Sequence, residues 1–189
     1  MKIFGNVVNV YRALIKSHLT SGMTVMDATC GNGYDTRFLC DIVGNDGYIF
    51  AMDLQAEAIE ATASRCMTDG SLPDNIELIH DSHERMDHYV QPETLDAAVF
   101  NLGYLPGGNK AVTTDAASTS SAVLKALACL KHGGLLYILC YVGHSEGVLE
   151  YEMLTEMLHM IPQSEADVMT VAFANQSGKP PVMWVVEKK

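Results

Sequence analysis

No apolar run in this 189-residue chain is long enough to span a bilayer. The stretch from Met1 to Leu19 is broken by Asn6, Arg12 and Lys16, so it reads as neither a signal h-region nor a membrane anchor. A cytoplasmic protein is the expectation. Positive charge is also scarce: 12 Lys and Arg stand against 23 Asp and Glu, a formal net charge of −11. An acidic chain repels polyphosphate at long range, which argues against non-specific nucleic-acid binding. It leaves room for a specific RNA where the few cations cluster, and Arg12, Lys16, Arg37 and Lys110 are the candidates. Five cysteines (Cys30, Cys40, Cys66, Cys129 and Cys140) are an odd number with no C-x-x-C pair. That argues against a disulfide framework and a structural zinc site. Repeats, low-complexity segments and linkers are missing, so residues 1–189 are expected to form one domain.

The chain does contain a regular alternation of helical and extended patterns. Helical spacing covers 6–18, followed by a short strand at Thr24–Met26, a helix over 35–43 and an apolar strand from Tyr48 to Asp53. A helix over 55–67 precedes strands at Ile76–Ile79 and Leu95–Leu102. A long helix over 115–131 is expected to end on His132-Gly133-Gly134 as its C-cap. Strand Leu135–Tyr141, helix 146–160 and strands Val168–Ala174 and Val182–Val186 complete the chain. Alternation of this kind predicts a doubly wound α/β sheet with parallel central strands and helices on both faces. The last two strands have no helix between them, so an antiparallel pair is expected at one edge.

Ligands of such sheets bind beyond the carboxyl ends of the strands. The first strand runs into Asp27-x-x-x-Gly31-Asn32-Gly33, then Tyr34-Asp35-Thr36. The two glycines permit a tight turn and close backbone approach. A dinucleotide fingerprint would need a third glycine where Thr36 stands, and Asp27 and Asp35 flank a loop that a pyrophosphate would want free of acids. Carboxylates suit instead a cationic ligand such as S-adenosylmethionine. Asp53, ending the second strand, is placed to accept both ribose hydroxyls. Asp81, after the third strand, is placed to reach the adenine amino group, with Ser82 or His83 beside it.

The fourth strand ends in Asn101-Leu-Gly-Tyr104-Leu-Pro-Gly-Gly108. An Asn carbonyl can accept the N–H of an amine and aim its lone pair at a methyl donor. Tyr104 would stack on a base or shield a sulfonium. His83 and His144 are placed as proton acceptors or substrate contacts, since His titrates in the useful range. Ser82-His83-Glu84 is not at metal-ligand spacing, and no metal is expected.

Together, Asp27–Thr36, Met52-Asp-Leu-Gln55, Ser82-His-Glu84, Asn101–Gly108 and Tyr141-Val-Gly-His144 resemble a bacterial family labelled rRNA methylase. That family is similar to tRNA 5-aminomethyl(-2-thio)uridine methyltransferases. Cys30 stands where a smaller residue would be expected. The resemblance implies a Rossmann-like class I fold using S-adenosylmethionine, with Gly31, Asn32, Gly33, Asp35, Thr36 and Gln55 in the cofactor set. It implies catalysis by Asn101, Tyr104 and His144 on the wobble uridine of a tRNA anticodon stem-loop, by a homodimer. Other readings stay open: a methyltransferase of the same fold acting on rRNA or on small-molecule or protein amines, and a non-enzymatic adenosine-nucleotide sensor or NAD-binding module.

Overall fold

The computed structural model describes residues 5–103 and 115–189. Seven strands form one sheet: β1 (Thr24–Asp27), β2 (Tyr48–Asp53), β3 (Ile76–His80), β4 (Leu95–Asn101), β5 (Leu130–Cys140), β6 (Ala166–Val171) and β7 (Val182–Lys188). Five helices flank it: α1 (Val7–His18), α2 (Tyr34–Val43), α3 (Ala56–Cys66), α4 (Ala116–Cys129) and α5 (Ser145–His159). A short 3-10 turn at His83–His88 follows β3. It is built on the Ser82-His-Glu run, with the Ser82 hydroxyl accepting from Glu84 N.

Helix ends follow local chemistry. The Asn6 side chain accepts from Asn9 N at 2.9 Å, and Val7, Tyr11 and Ile15 form the buried stripe of α1. Asp115 caps α4 by accepting from Ser118 N at 3.1 Å. His144 caps α5, its Nδ1 accepting from Gly147 N at 3.0 Å.

The strand order is β3-β2-β1-β4-β5-β7-β6. Alternate residues serve opposite faces. Val25, Ile49, Val99 and Tyr137 pack with α1, α2 and α3; Met26, Met52, Phe100 and Ile138 pack with α4 and α5. Burial on both sides explains why the central strands read as continuous apolar runs rather than as alternating ones.

The expected antiparallel pair stands at one edge of the sheet as β6 and β7. Its antiparallel member is β7, which lies between β5 and β6 and runs against both. The outermost strand, β6, therefore runs with β1–β5. The reason is burial: Met183, Trp184, Val185 and Val186 are all buried and need two covered faces, whereas β6 leaves Met169 half exposed. One expectation is corrected: His132-Gly133-Gly134 does not cap α4. The helix stops at Cys129 with Leu130 extended, and the glycines lie inside β5. There β5 takes six residues, Leu130 to Leu135, to match the three from Leu95 to Ala97 of β4. Gly133 has φ +78, and a Cβ on Gly134 would come within 2.9 Å of Lys131 O. The diglycine thus forms a bulge that brings β5 into register with β4.

The carboxyl ends of β1, β2, β3, β4 and β5 share one edge of the sheet. The order reverses between β1 and β4, which is where such folds form their crevice.

Candidate functional site

A cavity of about 900 Å³ opens at that crevice. Its floor is the loop between β1 and α2. Gly31 and Gly33 have φ of +50 and +75, conformations that side-chain-bearing residues rarely adopt. Gly33 also allows α2 to approach α3, because a Cβ there would lie 2.7 Å from Thr62 Cα. Asp53 ties the loop to β2: its Oδ2 accepts from Gly31 N at 2.9 Å and its Oδ1 from Gln55 N at 3.0 Å. A carboxylate has about four acceptor sites, so both oxygens retain capacity for ligand hydroxyls.

One part of the wall is Gly31, Asn32, Asp53, Leu54, Gln55, Ser82 and His83. His83 stands edge-on to Phe100 with centroids 5.8 Å apart. Its Nε2 is buried without a hydrogen-bond partner, and desolvation holds its pKa below the usual imidazole value. A neutral ring with one unmet polar atom at the cavity wall calls for a polar ligand atom.

The other part of the wall is Asn101, Gly103, Asp115, Ser118, Tyr141, His144 and Lys179. Asn101 N donates to Thr29 Oγ1 at 2.7 Å. Its side-chain nitrogen donates to Asp35 Oδ2 at 2.9 Å, which orients the amide and makes Oδ1 its acceptor end. Arg12, reaching over from α1, lies 3.5 Å from the other Asp35 oxygen. Tyr141 sits beside this group. Burial, then Asp35, raises its pKa, and a hydrogen bond from Asn101 partly opposes the rise.

Four residues expected in the cofactor set do not line the cavity. Asp27 is fully buried beneath the loop, accepting from Thr36 Oγ1 at 2.6 Å and Thr29 N at 3.3 Å. Burial, reinforced by Asp35, pushes its carboxyl up to about 7. Thr36 is buried by that same bond, and Gly33 acts through the backbone. Asp81 is turned away: its carboxylate accepts from Ser82 N and the Tyr89 hydroxyl and faces Arg85. Ser82 and His83 line the cavity instead.

His144 lines the cavity and caps α5, its Nδ1 accepting from Gly147 N at 3.0 Å and lying 3.4 Å from Glu146 Oε2. Gly147 is required there, since a Cβ would collide with Tyr141 O and the His144 ring. Tyr104 and Lys110 lie outside the described residues. Arg37 is paired with Asp41 at 3.0 Å. Lys179, Asp115, Ser118 and Tyr34 were not legible as site residues. Lys179 is separated from the glycine loop by more than 140 positions.

Comparison with known proteins finds relatives over most of the chain. The family model described as "Putative rRNA methylase" matches residues 49–187. A chloroplastic tRNA (mnm5s2U34)-methyltransferase of Arabidopsis thaliana is 39% identical over 158 residues, covering 78% of this chain and 57% of that protein. The chain thus spans less than two thirds of that relative. A solved "putative rRNA-methylase" from Clostridium thermocellum is 38% identical with a TM-score of 0.93, covering 98% of this chain and 99% of that one. A Streptococcus mutans protein, described as a putative methyltransferase and solved in complex with SAH, is 31% identical with a TM-score of 0.85, covering 96% and 97%. The strand order with β7 inserted antiparallel is that of class I methyltransferases. On the span of the family match and on these relatives, the chain belongs to the rRNA methylase family.

Proposed function

We propose that the chain is an S-adenosylmethionine-dependent methyltransferase that acts on RNA. Its reaction would convert the 5-aminomethyl group of a wobble uridine or 2-thiouridine in tRNA to 5-methylaminomethyl. Asp53, Gln55, Ser82 and His83 would hold the adenosyl part. The two Asp53 oxygens suit ribose hydroxyls, and the unmet Nε2 of His83 suits a polar ring atom. The acid-lined loop suits the cationic end. When bound, the cofactor supplies an electrophilic methyl on a sulfonium.

The observation that carries the reading is Asn101. Its nitrogen is anchored by Asp35, so Oδ1 accepts an amine N–H and aims the nitrogen lone pair into the cavity. That lone pair would take up the methyl that the bound cofactor supplies. The resulting ammonium then loses a proton. Tyr141 is kept protonated by burial, so water or His144 takes that proton. Lys179, on the same wall, supplies positive charge for a phosphate of the RNA strand.

Asn101→Ala tests the assignment. A fall in kcat of more than about 100-fold is expected, with S-adenosylhomocysteine affinity retained by calorimetry. Wild-type rates would remove the orienting role. Mass spectrometry of wobble nucleosides from unmodified tRNA identifies the product. Transfer to small amines but not to tRNA would favour the small-molecule reading, and NAD binding without transfer the third. The same reading includes a homodimer in the cytoplasm, tested by sedimentation and by fractionation of cells.

A further inference from the structure

An aromatic ring at the cavity mouth has no role in the mechanism above. Tyr34 is the first residue of α2 and lines the cavity, yet 60% of it is exposed. Arg65, near the end of α3, lays its guanidinium on that ring, with Cζ 3.6 Å from the centroid. Arg65 Nε also donates to Asn32 O at 2.6 Å, so the cation is pinned to the glycine loop. The ring is therefore held from one side and open on the other. A core role is excluded by the exposure. Simple solubility is a poor reason to fix a tyrosine with a cation.

The use of charge elsewhere supports this. Among the described residues, Arg12, Arg37, Arg85, Lys125, Lys131, Lys188 and Lys189 each pair with a carboxylate. Lys16, Arg65 and Lys179 do not, and Lys16 lies over Phe38. In a chain of net charge −11, two of the three cations without a carboxylate belong to one cavity. Lys179 is in its wall, and Arg65 touches two lining residues.

We propose that Tyr34, backed by Arg65, is a stacking platform for an unpaired RNA base next to the target nucleotide. The proposal rests on the RNA reading above. Proteins that bind single-stranded RNA splay its bases and stack them on aromatic rings and guanidinium planes. A cation behind the ring draws on its π-density, and the open face takes a base of any identity. Selection of the target then falls to the amine contact at Asn101, and the platform sets how the strand enters.

The test uses the full chain and an anticodon stem-loop bearing the aminomethyl nucleotide, with 2-aminopurine at the adjoining position. Binding to wild type should quench the fluorophore by stacking. Tyr34→Ala should lose the quench and raise the stem-loop KM about tenfold or more, with S-adenosylhomocysteine affinity and the thermal midpoint unchanged. Tyr34→Phe, which keeps the ring, should recover the KM. An unchanged KM in Tyr34→Ala would overturn the proposal. So would a parallel loss of cofactor affinity, which would put the ring on the cofactor. A wild-type enzyme that leaves the stem-loop unmethylated would overturn the RNA reading and the platform with it. An active wild type with an indifferent Tyr34→Ala overturns the platform alone.

Discussion

Asp27→Asn reports on the carboxyl buried beneath the glycine loop. The carboxyl is fully buried and accepts from Thr36 and Thr29. Burial first, then Asp35, raises its pKa from 3.8 to about 7. In the unfolded chain it ionises near its ordinary value, about 3.9. Below that pH both states hold the proton, and the favourable contribution is fully present. As pH rises the unfolded chain releases its proton while the folded protein retains it, so stability falls by about 1.4 kcal/mol per pH unit until the folded pKa is passed. Once the pH is above both values the loss totals about 4 kcal/mol. Asparagine keeps the shape and an acceptor for Thr36 but brings an NH2 without a partner, a penalty of about 1–3 kcal/mol at every pH. Asp27→Asn should therefore be less stable than wild type at pH 4.5 and more stable at pH 8. Urea unfolding of both proteins across this range reads the difference directly. A constant offset, with no change of sign or slope, would refute the claim that a buried carboxyl holds its proton here.

Two further outcomes follow from the site. Asp53→Ala removes the acceptor of Gly31 N and Gln55 N together with the expected ribose contacts. Calorimetry should show S-adenosylhomocysteine affinity falling at least about tenfold, and unchanged affinity would reject the assignment. Lys179→Glu should raise the stem-loop KM more at low salt than at high salt, because the contact is a screened charge on a phosphate. A salt-independent effect would move the phosphate contact elsewhere.

Much of the fold was legible because burial imposes periodicity. The helical spacing of Val7, Val10/Tyr11 and Leu14/Ile15 announced α1, and the apolar runs of β2, β4 and β5 announced strands covered on both faces. The glycine loop, Asp53 and Asn101 were legible because each ends a strand, and parallel strands bring their ends together. The 3-10 turn at His83–His88 was not legible, since six residues are too few for a period. His132-Gly133-Gly134 misled because a diglycine after a helix has the same composition as one in a bulge. What decided between them was the register of β5 on β4, which is a pairing between distant segments.

The amino-acid order alone determined the alternation of elements, the loop that follows β1 and the residue types at the strand ends, because these depend on local sterics and on spacing. The direction each side chain takes at those ends depended on tertiary structure. Asp27 turns under the loop to meet Thr36, Asp81 turns out to Tyr89 and Arg85, and Asp35 is claimed by Arg12 and Asn101. Lys179 and Tyr34 come to one cavity only because β7 inserts beside β5 and α2 packs on α3. Polar side chains settle on whichever partner lies within about 3 Å, and a linear sequence does not contain that distance.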